Sequence, residues 1–509
     1  MNGETNRGAR IAKNTLMLYV RMLVLMLVGL YTSRVVLEAL GETDFGIYSV
    51  VGGVVAMFTI ISGALNSAVQ RFITFEMGKG PQAQLNKVYS TAVTIQIILA
   101  AIIVIIAEPV GLWFIRNEMT IFPDRIPAAE WVLHFSLLAF VINLMSVPQM
   151  ASITAHEKMS AYAYIGILDG LLRLGTALLI MYSGGERLVQ YAALMALTVI
   201  VVRAAYGIYC RRHFEECRYR AIFDKKQIGE MFSFAGWNFV GVTSGVLRDQ
   251  GGNILVNIFS GPAVNAARGL AVQLNGAVQS FVTNFMTAVN PQITKSYASG
   301  EYEYMFSLVR RSSRMSFYLL LMLVLPLVLN IGIVLGLWLK DVPAHTQLFA
   351  QLFLIFALSE SLSNPMITAM LATGNIRNYQ LVVGGIQLLN IPISYVLLRM
   401  GAAPEVTVVV AIALSQVCLF ARMLMLSRAT GFPVGEFVRK VYAKSILVVL
   451  PCAALVPSLF EFIKPAGVLG AAVSVVLCIV WTGAVIYIIG MDSDERNMVR
   501  GLLTKRRGE

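Results

Sequence analysis

Apolar residues in this chain arrive in long blocks, and polar residues gather between them. The blocks cover 14–36, 46–68, 88–110, 130–152, 162–182, 188–209, 231–259, 263–289, 315–339, 346–371, 379–399, 405–427, 444–461 and 466–489. An α-helix rises 1.5 Å per residue, so about twenty apolar residues cross a hydrocarbon core about 30 Å thick. The pattern predicts an all-α, polytopic membrane protein of about fourteen transmembrane helices. The intervening polar stretches are loop-sized, which leaves no room for a water-soluble domain. The thirteenth block is the least continuous, because Pro451 and Pro457 interrupt it.

Lysine and arginine counts orient these spans. The N-terminal residues and every second loop hold 27 of the 40 basic residues. The other loops hold only Arg34, Arg116, Arg125, Arg187, Lys340, Arg399 and Lys464. That bias places both ends in the cytoplasm and favours an even number of spans. Arg7, Arg10 and Lys13 precede the first block, which lacks a small-residue cleavage site and reads as an uncleaved first span.

Composition sharpens the class. The chain is 57% hydrophobic and 13% charged, whereas a soluble domain is about 45–50% apolar and about 25% charged. The net charge of +12 would point to nucleic acid in a soluble protein; here the cytoplasmic loops account for it, and no nucleic-acid partner is expected. Cys210, Cys217, Cys418, Cys452 and Cys478 form no disulfide framework. Cys210, His213 and Cys217 share a loop without a fourth ligand at zinc spacing, so no metal is expected. No phosphate-cradling Gly-rich loop ending in Lys-Ser/Thr is present, nor a His-Glu-x-x-His helix. His134, His156, His213 and His345 are scattered. A transporter is expected rather than an enzyme. A membrane glycosyltransferase would need polar groups clustered in one long outer loop, and 111–129 offers only Arg116, Asp124 and Arg125.

A weak internal repeat joins the two halves. At one offset Gly41 matches Gly261, Ala68 matches Ala288, Val69 matches Val289, Ile73-Thr74 matches Ile293-Thr294, and Gly80 matches Gly300. At an offset three residues shorter, Ser146 matches Ser363, Pro148 matches Pro365, Ala155 matches Ala372, and Tyr162 matches Tyr379. Span 2 thus maps on span 8 and span 4 on span 10, a parallel repeat about an axis along the membrane normal. The expected organisation is a six-helix bundle over 1–209, a cytoplasmic connecting loop at 210–230, a second six-helix bundle over 231–427, and two appended helices with a basic tail over 428–509. Two such bundles suit a transporter that works by alternating access.

Charges within spans are costly and face a cavity or a partner. Arg21 lies in span 1. Asp169 and Arg173 are four apart on span 5 and share a helix face. Arg248 and Asp249 sit in span 7, Arg268 in span 8 and Glu360 in span 10. Arg203 and Arg422 lie near cytoplasmic ends, where long side chains snorkel. The run Arg248-Asp249-Gln250-Gly251-Gly252-Asn253 suggests locally irregular backbone lining water, with Asn253 and Asn257 continuing one face. Neighbouring helical residues point about 100° apart, so Arg248 and Asp249 are not expected to face each other. Arginines outnumber carboxylates in this set, which suits an anionic cargo held by guanidinium forks. An exporter of organic cations would favour buried carboxylates.

Three blocks carry a family resemblance: Leu37-Glu-Ala-Leu-Gly-Glu-Thr-Asp-Phe-Gly-Ile-Tyr-Ser49, Ala155-His-Glu-Lys-Met159, and the stretch from Gly261-Pro-Ala-Val-Asn-Ala-Ala-Arg-Gly269 to Asn290-Pro-Gln-Ile-Thr-Lys-Ser-Tyr297. The chain resembles the bacterial polysaccharide-biosynthesis flippases of the multidrug and oligosaccharidyl-lipid exporter superfamily. The resemblance implies a MATE-like fold of two six-helix bundles plus two C-terminal helices in the bacterial inner membrane. It further implies a flippase for an undecaprenyl-pyrophosphate-linked oligosaccharide, working beside the polysaccharide polymerase machinery and driven by a Na+ or H+ gradient without a bound cofactor. Arg21, Arg173, Arg248 and Arg268 are the substrate-binding candidates, and Asp169, Asp249 and Glu360 the ion-coupling ones. A cation-coupled multidrug extruder and a lipid II flippase are the rival readings.

Overall fold

A computed structural model describes residues 2–496 except 57, 81, 82, 118, 120, 223, 340, 464–466, 493 and 494; for 2–10, 12, 30, 37, 42, 53, 54, 56, 59, 60, 455–463 and 467–469 it describes the backbone alone. The basic tail expected to be cytoplasmic falls on 497–509, outside the described residues.

Helix dominates, and no strand occurs among the described residues. The first half of the chain comprises α1 (Asn2–Ala56), α2 (Thr59–Gly78), α3 (Leu85–Asn117), α4 (Ile126–Ala155), α5 (Met159–Tyr182) and α6 (Arg187–His213). Then follow α7 (Lys225–Ala298), α8 (Tyr302–Leu329), α9 (Ile331–Trp338), α10 (Thr346–Ser361), α11 (Asn364–Thr373), α12 (Arg377–Leu388), α13 (Asn390–Arg399) and α14 (Val406–Thr430). The chain ends with α15 (Val434–Phe437), α16 (Ala443–Ile463) and α17 (Gly467–Val485). Nine helices among the described residues are long and apolar enough to cross a bilayer, or ten if the bent pair α10–α11 counts as one span. Of the other four expected spans, 231–259, 263–289 and 444–461 lie on helix, and 46–68 is shared between the end of α1 and the start of α2. Large apolar side chains such as Leu27, Ile105 and Leu179 are more than 60% exposed, which water would penalise and lipid does not. The protein is a multi-pass membrane protein.

Two long helices are each a pair joined at a glycine. α1 turns at Gly41 (φ 75°, ψ 170°) and α7 at Gly261 (φ 83°, ψ 176°), backbone that only glycine adopts cheaply. These are the first pair of the repeat. Gly80 and Gly300 both take positive φ, and so do Gly185 and Gly401 at nearly the same spacing. Glu157 (φ 58°) and Gly374 (φ 80°) form a further pair. The matched side chains are buried alike: Ala68, Val69, Ile73 and Thr74 in one half, and Ala288, Val289, Ile293 and Thr294 in the other. The repeat is therefore a repeat of backbone corners as well as of letters. It is imperfect at the prolines. Pro148 lies inside a continuous α4, whereas the chain bends by 42° between α10 and α11, where Pro365 occupies the first turn of the second helix.

The chain condenses into two compact units, Met1–Thr243 with Thr287–Glu301, and Ser244–Met286 with Tyr302–Glu509. α7 begins at the N-cap Asp224, whose carboxylate accepts from the backbone N–H of Lys226 and Gln227. Its two ends belong to the first unit and its middle to the second. In the first unit, Val35, Val36 and Ala39 pack with Ala177, Ile180 and Tyr191, joining α1, α5 and α6. In the second, Phe349, Leu354 and Ala357 of α10 and Leu419, Met423 and Leu426 of α14 are almost fully buried. Arg314 of α8 pairs with Asp492 (2.7 Å) and Glu495 (2.6 Å), tying the end of the last helix to this unit.

Candidate functional site

In the second unit, one face of α10 organises the charges. Phe353, Phe356 and Glu360 follow the i, i+3, i+7 spacing of a single helical face. The Arg268 guanidinium lies 5.3 Å from the Phe353 ring centroid, and that of Arg248 lies 4.9 Å from Phe356. Arg422 of α14 approaches Glu360 at 3.8 Å and lies within electrostatic reach of Tyr379. Arg248, Asp249 and Arg268 are within electrostatic reach of one another, as are Arg248 and Glu360. Three arginines thus face two carboxylates along one helix. Arg268 is 4% exposed and forms no salt bridge among the described residues. Its Nη1 donates to Asn253 Oδ1, while its buried Nε has no hydrogen-bond partner among the described residues.

The polar run in α7 is regular helix, contrary to the expected irregularity; the backbone departs from helix only at Gly261. The glycines serve close packing instead. A Cβ on Gly251 would sit 2.7 Å from Ile391, and one on Gly252 would sit 2.7 Å from Arg268 Nη2. Arg248 and Asp249 do meet: Nε–Oδ1 is 2.9 Å and Nη2–Oδ2 is 3.2 Å. The arginine stem is long enough to swing its fork across the 100° between adjacent positions, and a bidentate pair rewards it. Arg248 is well covered at 13% side-chain exposure, whereas Asp249 is 54% exposed.

The first unit treats its charges differently. Arg21 lies 4.6 Å from the ring centroid of Tyr162, and Gly166 leaves room for its guanidinium. Asp169 and Arg173 form an ion pair within α5 at 2.9 Å, each about a third exposed. Tyr206 is within electrostatic reach of Arg21 and Asp169, and Tyr48 of Arg173. Each of these two arginines thus has tyrosine near it.

Arg203 and Arg422 do not snorkel. Arg203 donates to the Met145 carbonyl and to Gln149 Oε1 (2.8 Å), bridging α6 to α4. Arg422 is 2% exposed. Both reach sideways to polar groups on neighbouring helices. Sequence spacing offered no sign of this, nor of Phe353, Phe356 and Tyr379, which read as ordinary apolar positions.

The Ala155–Met159 block and the Asn290–Tyr297 block meet in the first unit. Glu157, 3% exposed in its side chain, accepts from Gln292 Nε2 (2.7 Å) and Lys295 Nζ (3.0 Å), while its backbone carbonyl accepts from Asn14 (3.2 Å). Beside it, His156 stacks on Phe214 (4.0 Å, 9°) and pairs with Glu216 at 2.5 Å. Burial works against the Glu216 carboxylate, but the His156 hydrogen bond, Glu216's own backbone and the His156 charge outweigh it and hold that carboxyl below its ordinary range. No group of three or more metal-ligating side chains occurs among the described residues.

The fold defines a class. Solved structures of MATE transporters match over most of their length: a point mutant of one MATE at TM-score 0.72, with 13% identity, covering 82% of this chain and 97% of that one. A MOP superfamily transporter from Pyrococcus furiosus matches at 0.68, with 13% identity, covering 84% and 96%. An outward-facing multidrug resistance MATE family transporter matches at 0.69, with 12% identity, covering 84% and 96%. The chain has a nearly all-helical, MATE-like fold. Residues 11–297, more than half of the chain, match the polysaccharide biosynthesis protein family, and the chain belongs to it. A comparison with curated protein sequences finds no match.

Proposed function

We propose that this transporter is a flippase that moves an undecaprenyl-pyrophosphate-linked oligosaccharide repeat unit across the bacterial inner membrane by alternating access, with both termini cytoplasmic. The observation that carries the reading is the α10 face, where Arg248, Arg268 and Arg422 outnumber Asp249 and Glu360. An arginine buried without a carboxylate partner among the described residues, as Arg268 is, favours a ligand that brings its own negative charge. Diphosphate does so, and guanidinium forks bind it bidentately. A carrier of organic cations would want the opposite balance. The Pyrococcus furiosus transporter is described as having a binding pocket of reversed polarity that suggests a different function, which supports reading cargo from pocket charge in this superfamily.

Arg248 and Arg268 are the foremost cargo-binding residues, with Arg21 and Arg173 secondary. Na+ or H+ would drive the cycle through Asp169, Asp249 or Glu360. Each of these carboxylates already has an arginine beside it, so an incoming cation would have to displace a guanidinium, and that exchange would link ion binding to a change of partner. The polysaccharide polymerase machinery is the expected downstream partner. Deleting the gene in a strain without a substitute flippase should leave undecaprenyl-linked repeat units on the cytoplasmic leaflet; normal export in that strain would refute the reading.

A further inference from the structure

The two halves place a charged bridge at the same corner of the repeat, but they build it from different residues. In the first unit, Arg125 in the α3–α4 connection bonds Glu186 just before α6 at 2.9 Å, and also approaches Asp44 at 3.6 Å. In the second, His345 in the α9–α10 connection meets Glu405 just before α14 through Nδ1 at 2.6 Å. The spacing from Arg125 to His345 equals that from Gly41 to Gly261, and the spacing from Glu186 to Glu405 falls one residue short of it. The corner is built rather than incidental. His345 sits in the left-handed region (φ 71°), which few residues other than glycine adopt and which histidine enters more readily than most, directly at the N-terminus of α10. Glu405 is 6% exposed in its side chain, so its carboxylate depends on a donor.

We propose that His345 and Glu405 form a proton-binding site that clamps this corner of the second unit when the imidazole is charged. Imidazole changes charge between pH 5 and 8, whereas guanidinium does not. The neutral ring donates through Nδ1 as well, but the charged ring bonds a carboxylate about twice as strongly. The clamp therefore tightens when the ring takes up a proton and slackens when it gives one up, while the Arg125 bridge has no such switch. Other charged groups around His345 are few. Asp341 lies on its own connection and Arg399 ends α13; Lys340 falls outside the described residues. α9, α17 and the adjoining halves of α10 and α14 carry no acidic, basic or histidine side chain. The site is separate from Asp169, Asp249 and Glu360, and it does not depend on the identity of the cargo.

Hydrogen exchange of the full-length protein, corrected for the intrinsic pH dependence of exchange, tests it directly. Protection of peptides covering 341–346 and 400–406 should rise about threefold or more between pH 8 and 5.5, as a doubling of bond strength would give, while 121–127 and 183–188 stay level. H345R, which copies the first half, should abolish the pH response and leave protection high. E405Q should abolish the response and leave protection low. R125H should import a pH response into the first unit. A flat response in the wild type, or an undiminished response in H345R, would overturn the proposal.

Discussion

Arg173 of the first unit and Arg268 of the second are alike in sequence, each a lone cation within an apolar block. The structure separates them. Arg173 is neutralised by Asp169 one turn away on its own helix, and both side chains are about a third exposed. Arg268 lies on an aromatic ring, is 4% exposed, and has no carboxylate partner among the described residues. The same contrast holds for the units that contain them. The first sets Arg21 and Arg173 beside tyrosines, and the second lines three arginines along one face of α10. A repeat that preserves backbone corners has let the charge chemistry of its halves diverge, and an anionic cargo fits better in the half that holds an unmatched buried cation.

The largest effect is expected at Glu360. E360Q leaves Arg422 buried beside a neutral amide, which should cost about 3–5 kcal/mol, the usual penalty for breaking a buried pair from one side. The thermal stability of the purified protein measures it. A loss below about 1 kcal/mol, the surface-pair range, would show that the α10 face is wetter than the burial implies. G252A comes next, because the three heavy atoms nearest its Cβ would all belong to the Arg268 guanidinium, the first at 2.7 Å. It should cut export about tenfold or more, equivalent to about 1.4 kcal/mol of lost binding or positioning, with little change in folding. The corresponding change in the first unit, G166A, displaces Arg21 and should have the smaller effect on export. Equal effects would erase the contrast between the halves.

At the α4–α5 corner, E157G converts the first repeat to the residue of the second, Gly374. It relieves about 1–2 kcal/mol of left-handed strain but removes charged bonds worth about 1.5–3 kcal/mol each. The net result should be a modest loss of stability. G374A, by contrast, should cost about 1–2 kcal/mol through strain alone. The smallest effect concerns Glu216. Its carboxyl is held below the ordinary range, so the stability gained from the ionised carboxylate is present above an unfolded value of about 4.3 and is lost as pH falls through the lower folded value. E216Q should therefore lower the melting temperature at pH 7, and the gap to the wild type should close only below about pH 4.

Much of the fold was legible because lipid imposes a length and a polarity on every span. The repeat was legible where glycine is required by positive φ, as at Gly41, Gly80, Gly261 and Gly300. It was hidden where Glu157 occupies the corner that Gly374 occupies in the other half, since no letter matches. The cargo-facing candidates were legible as charges out of place, but their partners were not. Glu360 and Arg422 are far apart in sequence, Phe353 and Phe356 have the appearance of lipid-facing residues, and the glycines of α7 suggested broken backbone when they make room for side chains. His345 resembled the other three scattered histidines because its meaning lies in its counterpart, Arg125.

The central claim is that this transporter carries an anionic, diphosphate-linked lipid on the α10 arginines. Translocation of undecaprenyl-diphosphate-linked oligosaccharide in proteoliposomes tests it most directly, comparing the wild type with R268A and R268K at equal protein incorporation. The account predicts transport by the wild type, a loss of about tenfold or more in R268A, and partial recovery in R268K, which restores the charge without the bidentate fork. Equal transport by the wild type and R268A, or no transport above empty vesicles by the wild type under an imposed Na+ or H+ gradient, would contradict it.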